Sequence, residues 1–445
     1  MATVLRSVLR IITCIALIIC PLPERKCEPK FNGTFLQSWM SSSWDDARWQ
    51  DEIDVMEEAG IEYLIIQDVA NKSSDGDWSI YYDSELDVFR DASRSADVID
   101  AALRNCEGSG IKVMIGLGLF DNWWSKSGFG DEYSELCSVC ADMIEEIHAK
   151  YISKYPSSFY GWYFTPEMSN GPLVKLSSCS IAKGINTVID AIERTDADAP
   201  LLLSPYFSQF GANPGIESAK LFWASFLKQV NFRSQDIFCP QDAVGAGWVL
   251  EENLINVWRM YSDAVRISGK DIHLWANCEN FTSARTKSLT SGLITPFPTE
   301  NTEDVTATLD RFVSQLDIAS RYAENIITFS YNHYYSPAYI DPMFHETYLD
   351  YVENGYVLES EAPTAPSGLR LSADGGGNVT LSWQASSDNF GVAYYRICAD
   401  GEFAARCEYW QDTSLELDNP EQGVKYTVTA FDAAGNASAA AEIVY

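Results

Sequence analysis

Apolar residues along this chain fall into two alternating patterns. Short, nearly continuous apolar runs are separated by longer stretches whose apolar residues recur at helical spacing. The runs are 31–37 (F-N-G-T-F-L-Q), 61–67 (I-E-Y-L-I-I-Q), 111–117 (I-K-V-M-I-G-L), 159–164 leading into T-P-E, 200–206 (P-L-L-L-S-P-Y), 236–242 (D-I-F-C-P-Q-D), 271–281 (D-I-H-L-W-A-N-C-E-N-F) and 325–330 (N-I-I-T-F-S). A run apolar on both faces of its pleat marks a strand covered on both sides, as in a parallel sheet. Between the runs the spacing predicts helices. The first is capped by Ser42 or Ser43 and carries Val55, Met56 and Ile61. Others cover 93–105, 132–154, 173–195, 215–230 and 251–268, and one runs from a cap at Asn301 or Thr302 to Tyr322 with Glu303 and Asp304 in its first turn, where the helix dipole favours acidic groups. Polar loops are expected after the second run, with Trp78, Tyr81 and Tyr82, and after the third, with Asp121, Trp123 and Trp124.

Strand and helix thus alternate through eight units over roughly 300 residues, the pattern and size of a (β/α)8 TIM barrel in the α/β class. An open doubly wound sheet is the alternative, but no glycine-rich phosphate loop follows any run. In a barrel the functional side chains gather at the C-terminal ends of the strands. Here those ends carry Gln37 and Trp39; Gln67 and Asp68; Asp121 and Trp123; Tyr163 and Glu167; Tyr206; Gln241 and Asp242; Asn277 and Glu279; Tyr331 and His333. Polar and aromatic residues concentrate there while the strand bodies are apolar, and this asymmetry is the main functional signal.

Near residue 359 the composition changes. E-S-E-A-P-T-A-P-S-G is a proline-bearing linker, and beyond it short alternating strands are punctuated by turns, the pattern of an all-β sandwich. The expected division is an export signal (1–27), a barrel (31–355), a linker (356–366) and a sandwich (367–445). In the last, A-P-S-G-L, L-S-W with Trp383, S-D-N-F-G-V-A-Y-Y-R-I and Y-T-V-T-A-F-D-A-A-G-N-A-S resemble the fibronectin type III modules of secreted bacterial glycanases. The resemblance implies a spacer with Trp383 and Tyr426 in its core.

Charge narrows the partners. With 63 acidic against 31 basic residues, the net charge is −32, which repels phosphate backbones and anionic lipid, so nucleic acid is not an expected partner. At the N-terminus Arg6 and Arg10 precede a short apolar run, 11–20, that ends before Pro21 and Pro23. About ten apolar residues fall short of the roughly 20 that span a bilayer, so the segment reads as an export signal to the periplasm, cell surface or medium. Cys20 after Leu17-Ile18-Ile19 leaves a lipid anchor open. Cys137 and Cys140 sit inside a helical pattern and read as packing residues, while Cys398 and Cys407 could bridge. The four histidines, His148, His273, His333 and His345, lack metal-ligand spacing, and no G-x-S-x-G occurs. Metal and serine hydrolases are therefore disfavoured, and no metal or cofactor is expected.

The barrel segments G-T-F-L-Q-S-W, L-I-I-Q, G-L-G-L-F-D-N-W-W, F-Y-G-W-Y-F-T-P-E, L-L-S-P-Y-F, P-Q-D-A-V-G, L-W-A-N-C-E-N-F and F-S-Y-N-H-Y-Y-S-P together resemble a bacterial domain-of-unknown-function family described as a glycoside-hydrolase-type TIM barrel. The likeness covers 31–337 and implies that fold and class. A wider resemblance is to retaining glycosidase barrels with an acid/base glutamate after strand four and a nucleophile after strand seven, positions held here by Glu167 and Glu279. Pro166 stands where those enzymes keep asparagine, and Tyr331 where many keep tryptophan. Glycoside cleavage needs two carboxyl groups flanking the bond, one protonated and one ionised. Trp162 and Tyr163 are expected to desolvate Glu167 and keep its proton, and the amides of Asn277 and Asn280 to keep Glu279 ionised. Asp242 is the rival second carboxylate; paired with Glu167 across a wider gap it implies inversion. Gln37, Gln67, Gln241 and Asn277 are placed to grip sugar hydroxyls. Trp39, Trp123, Trp124, Trp248, Tyr163, Tyr206, Tyr331 and His333 offer ring faces or orienting groups. The expected function is an exported, retaining glycoside hydrolase acting on a poly- or oligosaccharide. The alternative is a glycan-binding protein on a degenerate barrel, motivated by Pro166.

Overall fold

The apolar runs pair edge to edge in chain order. The computed structural model describes residues 22–120, 130–210, 215–283, 304–340, 342–355, 359–373, 378–408, 411–417 and 420–445. Eight strands, Gly33–Leu36, Tyr63–Ile66, Lys112–Gly116, Phe159–Phe164, Leu201–Leu203, Ile237–Phe238, His273–Glu279 and Asn325–Phe329, form one closed barrel. Every neighbour is parallel, and the eighth strand returns to the first at Gly33↔Ile327.

Period-two alternation sorts the strand side chains. Phe35, Ile65, Met114, Tyr163, Leu202, Ile237, Trp275 and Ile327 fill the lumen, while Leu36, Leu64, Ile66, Trp162, Phe164 and Leu274 face the helical layer. Tyr63 packs on Tyr160 and Trp275 with ring centroids 5.1 and 4.9 Å apart, closing the N-terminal end. Continuing the same alternation toward the C-terminal ends brings Gln37, Gln67, Gln241, Asn277 and Glu279 into the mouth.

Several boundaries move. The first long helix, Asp46–Glu58, is capped by Asp45, which accepts from Arg48 N at 2.9 Å. Ser42 and Ser43 instead follow a short helix, Ser38–Ser41. The expected polar loop after the second strand is part of a four-stranded sheet of Ala70–Lys72, Trp78–Ile80, Ser93–Arg94 and Gly118–Phe120. The next helix consequently starts at Val98. The helix before the eighth strand is Leu309–Ser320, because Val305–Thr306 first pairs with Phe281–Thr282 beyond the seventh strand. The proposed caps Asn301 and Thr302 lie outside the described residues. Residues 1–21 of the expected export signal also lie outside them. Lys26 and Cys27 donate backbone hydrogen bonds to Ser320 O at 2.7 and 3.3 Å. No helix among the described residues is long and apolar enough to cross a membrane.

The C-terminal strands form two antiparallel sheets: Ser367–Ala373, Val379–Gln384 and Ser414–Leu417 in one, and Val392–Ala399, Glu402–Glu408, Lys425–Asp432 and Ala441–Val444 in the other. This is a fibronectin type III-like sandwich, with Trp383 and Tyr426 in its core. Cys398 lies opposite Phe403 and Cys407 opposite Tyr395, so the two thiols are out of register and both are free. Cys137 and Cys140 are buried on the helix Asp131–Ile147, and burial pushes the Cys140 thiol up to about 12.

Candidate active site

Glu167 follows the fourth strand by three residues and is half-buried. The turn that carries it is fastened on both sides. Thr165 Oγ1 donates to Gly118 O, Tyr206 N donates to Met168 O at 2.8 Å, and Asn170 exchanges bonds with Ser208 at 3.1 and 2.9 Å. The next three strands extend upward through bridges that align Tyr206, Gln241 and Asn277 in one row. Asn277 Nδ2 donates to Ser204 Oγ at 3.3 Å and Gln241 Nε2 to Ser204 O at 3.2 Å. Asn277 Oδ1 and Gln37 Oε1 are buried acceptors with no protein partner among the described residues. An amide oxygen so held can accept a ligand hydroxyl.

Glu279 ends the seventh strand and is 3% exposed. Its Oε2 accepts from Ala246 N at 2.6 Å. The loop supplying that N–H, A-V-G-A-G-W, needs glycine at 245, because a Cβ there would lie 2.8 Å from Glu279 Cβ and 2.5 Å from Phe281 O. Beneath lies Asp242, 0% exposed. Its Oδ2 accepts from Gln315 Nε2 at 2.6 Å, and its Oδ1 from Val244 N and Glu279 N at 3.2 and 3.3 Å. Gln315 Nε2 also reaches Glu279 O at 3.0 Å, and the buried guanidinium of Arg311 donates to Glu279 O and Phe281 O.

Two buried carboxyl groups therefore share one buried cation. Burial, then the charge of Asp242, pushes Glu279 well above the usual carboxyl range; Ala246 N–H and Arg311 pull against this, and the charge of Glu167 adds to it. Burial raises Asp242 to about 6 despite its donors. Burial also raises the phenols of Tyr163 and Tyr206, and both feel the charge of Glu167. Glu279, Tyr163 and Tyr206 thus all lie within electrostatic range of Glu167. The ring of Trp248 lies 6.3 Å from that of Tyr206 between centroids.

The structure redistributes the expected roles. The ring of Trp162 packs outward on Phe159 at 5.3 Å, so it does not shield Glu167. Asn280 Nδ2 points to Ser330 O at 3.4 Å and the Asn277 amide to Ser204, so neither donates to Glu279. The desolvated member of the pair is Glu279. Asp242 faces protein donors and not the mouth. Tyr331 is 0% exposed behind the barrel wall, bonded to Val55 O at 3.2 Å and His345 Nδ1 at 2.8 Å, so it does not line the site. Trp39 is 57% exposed at the rim, 6.0 Å from His333. His333 stacks on Tyr334 at 4.5 Å, which stacks on Phe281 at 5.4 Å, an aromatic path from the rim toward Glu279. Gln67 and Asp68 are half-buried at the end of the second strand. Trp123, with Asp121 and Trp124, lies outside the described residues. No cluster of three His, Cys, Asp or Glu side chains among the described residues has a metal-holding arrangement.

Arg311 and Gln315 are the site residues the sequence reading lacked. Their signal is an i, i+4 polar pair on a helix face shared with Phe312 and Ala319. The loop donor, Ala246 N–H, is flagged only by the two glycines that flank it.

Residues 31–341 match the family described as Domain of unknown function (DUF4434). The fold is similar to that of a Bacteroides thetaiotaomicron VPI-5482 protein provisionally assigned as an alpha-L-fucosidase, with TM-score 0.59 and 18% identity over 75% of this chain and 98% of that one. Chitinase A1 of Niallia circulans is 37% identical over 86 residues, 19% of this chain and 12% of the relative. Chitinase Chi52 of Paenibacillus xylanexedens is 37% identical over 82 residues, 18% of this chain and 16% of the relative. The chain therefore spans only a small part of either chitinase.

Proposed function

This chain belongs to the DUF4434 family, and we propose that it is an exported glycoside hydrolase cleaving O-glycosidic bonds of a poly- or oligosaccharide with Glu167 and Glu279, with retention of configuration. The observation that carries the reading is that Glu167, three residues beyond the fourth strand, and Glu279, the last residue of the seventh, both stand at the C-terminal mouth of one closed barrel. The amide acceptors of Gln37 and Asn277 and the rings of Tyr206 and Trp248 supply the hydroxyl contacts and stacking faces that a sugar requires. The fold likeness to a protein assigned as a fucosidase and the partial matches to two chitinases support the same class. Export is supported by Arg6 and Arg10 before the apolar run 11–20.

The roles follow from the surroundings. Glu279 has one N–H donor and is nearly sealed from water, whereas Asp242 has three donors and keeps the negative charge below it. Burial and the charge of Asp242 beneath it favour the protonated form of Glu279. Glu279 protonates the glycosidic oxygen as the C1–O bond breaks, and the Glu167 carboxylate bonds to C1. Water, deprotonated by Glu279, then displaces Glu167 and restores the starting anomer. This reverses the roles implied by the retaining-glycosidase resemblance, because desolvation falls on the seventh strand and not the fourth.

Leaving groups separate the two residues. Glu279→Gln is expected to lose glycan cleavage by about 10³-fold yet still release dinitrophenol from activated aryl glycosides, which need no acid. Glu167→Ala is expected to lose both and regain turnover with azide. The opposite pattern would return the acid role to Glu167. Proton NMR of the first-formed product reads retention directly.

A further inference from the structure

The C-terminal sandwich is fastened to the helix that carries Arg311 and Gln315. Leu309 N, in the first turn of Leu309–Ser320, donates to Ala433 O in the sandwich at 2.7 Å. Ala393 and Ala433 are buried within the barrel's own hydrophobic core, and Phe390 and Tyr394 pack against it. Gly435, at φ 96°, brings its turn so close to the Asp310 carboxylate that a Cβ would overlap it. Gly391, at φ 86°, does the same at Met343. The linker is tied down as well, since Asn436 Nδ2 donates to Glu359 O and Oε2 at 3.0 and 2.7 Å.

A spacer needs none of this. A tethering module has a polar surface of its own and joins its neighbour through a flexible linker. Here the two domains share apolar core, and the shared surface meets the barrel at the first turn of Leu309–Ser320 and at Met343, the start of the helix Met343–Asn354. Arg311 lies two residues beyond Leu309, and Gln315 one turn further on. Their side chains hold Glu279 O and the Asp242 carboxylate. We propose that the fibronectin-like module is part of the active unit: it clamps the start of Leu309–Ser320, and so fixes Arg311 and Gln315 against the ends of the sixth and seventh strands. Arg311 and Gln315 are positioning residues, and the module acts through them. The consequence for turnover rests on the catalytic reading of Glu279; the mechanical coupling does not.

Hydrogen exchange read by mass spectrometry on the full chain tests the coupling. Ala433→Glu places a charge at a 0% exposed contact. Met343→Glu disturbs the module's other contact, at Gly391, from the barrel side and leaves the module's sequence intact, so it tests the coupling if the first variant unfolds the module. In both, exchange across 309–320 and 273–282 is expected to quicken at least about tenfold, with 63–66 and 112–116 across the barrel keeping their protection. Exchange across 309–320 and 273–282 that stays as in the wild type in both variants overturns the proposal. A second readout separates this from the glycosidase reading. On an aryl glycoside that the wild type cleaves, the variants are expected to lower kcat about tenfold with KM nearly unchanged. A wild type that cleaves no glycoside would overturn the proposed function and leave the exchange result standing.

Discussion

At the scale of single residues, the site turns on which carboxyl holds a proton. Glu279 and Asp242 are both raised by burial, Asp242 to about 6, and the charge of Asp242 raises Glu279 further. Asp242→Asn removes the negative charge beneath Glu279, so the Glu279 pKa falls. The basic limb of the kcat/KM profile is expected to move to lower pH by about one unit, because that limb reports loss of the acid's proton. A limb that stays in place would remove Asp242 from the mechanism. Stability carries the matching sign. A carboxyl whose folded pKa is raised binds its proton more tightly in the folded state. The resulting destabilisation is absent below the unfolded carboxyl range, grows as pH rises through it and levels off above the folded value. Urea unfolding is thus expected to show falling stability from acid toward neutral pH, with a shallower fall in Asp242→Asn. The sequence pointed to Glu167 and Glu279 through their place in the strand count. It misjudged their surroundings, because the face on which Trp162 or Asn280 lies is set by strand register, which proximity in the chain does not reveal.

At the scale of elements, the eight barrel strands were legible because a strand covered on both faces must be apolar almost throughout. The four-stranded sheet beside the mouth was not. Its strands are two or three residues long, too short for any period to register, although Trp78, Ile80 and Phe120 are buried there. The helix Leu309–Ser320 was expected, but its function was hidden. Arg311 and Gln315 resemble an exposed i, i+4 pair until the helix is laid against the seventh strand. Gln315→Leu leaves Asp242 Oδ2 without its shortest donor and Glu279 O without one of its two amide or guanidinium contacts. The expected cost is about 1–3 kcal/mol in urea denaturation, more than a surface substitution gives. An unchanged midpoint would show that the buried network contributes nothing net.

At the scale of the whole molecule, the sequence separated barrel, linker and sandwich but not their union. Phe390, Ala393, Tyr394 and Ala433 satisfy the alternation of a sandwich by themselves, and period two cannot say whether an outward face meets water or another domain. Packing gives the module its place on the helix behind Glu279. The acidic excess, −32 over the chain, opposes phosphate-bearing partners and leaves the chemistry to the mouth of the barrel. The central claim is that Glu167 and Glu279 together break glycosidic bonds. Digestion of a broad glycan panel by the wild type, Glu167→Gln and Glu279→Gln, read by mass spectrometry, tests it most directly. Cleavage products from the wild type and none from either variant are predicted. Undiminished cleavage by either variant, or glycan binding without product from the wild type, would contradict it.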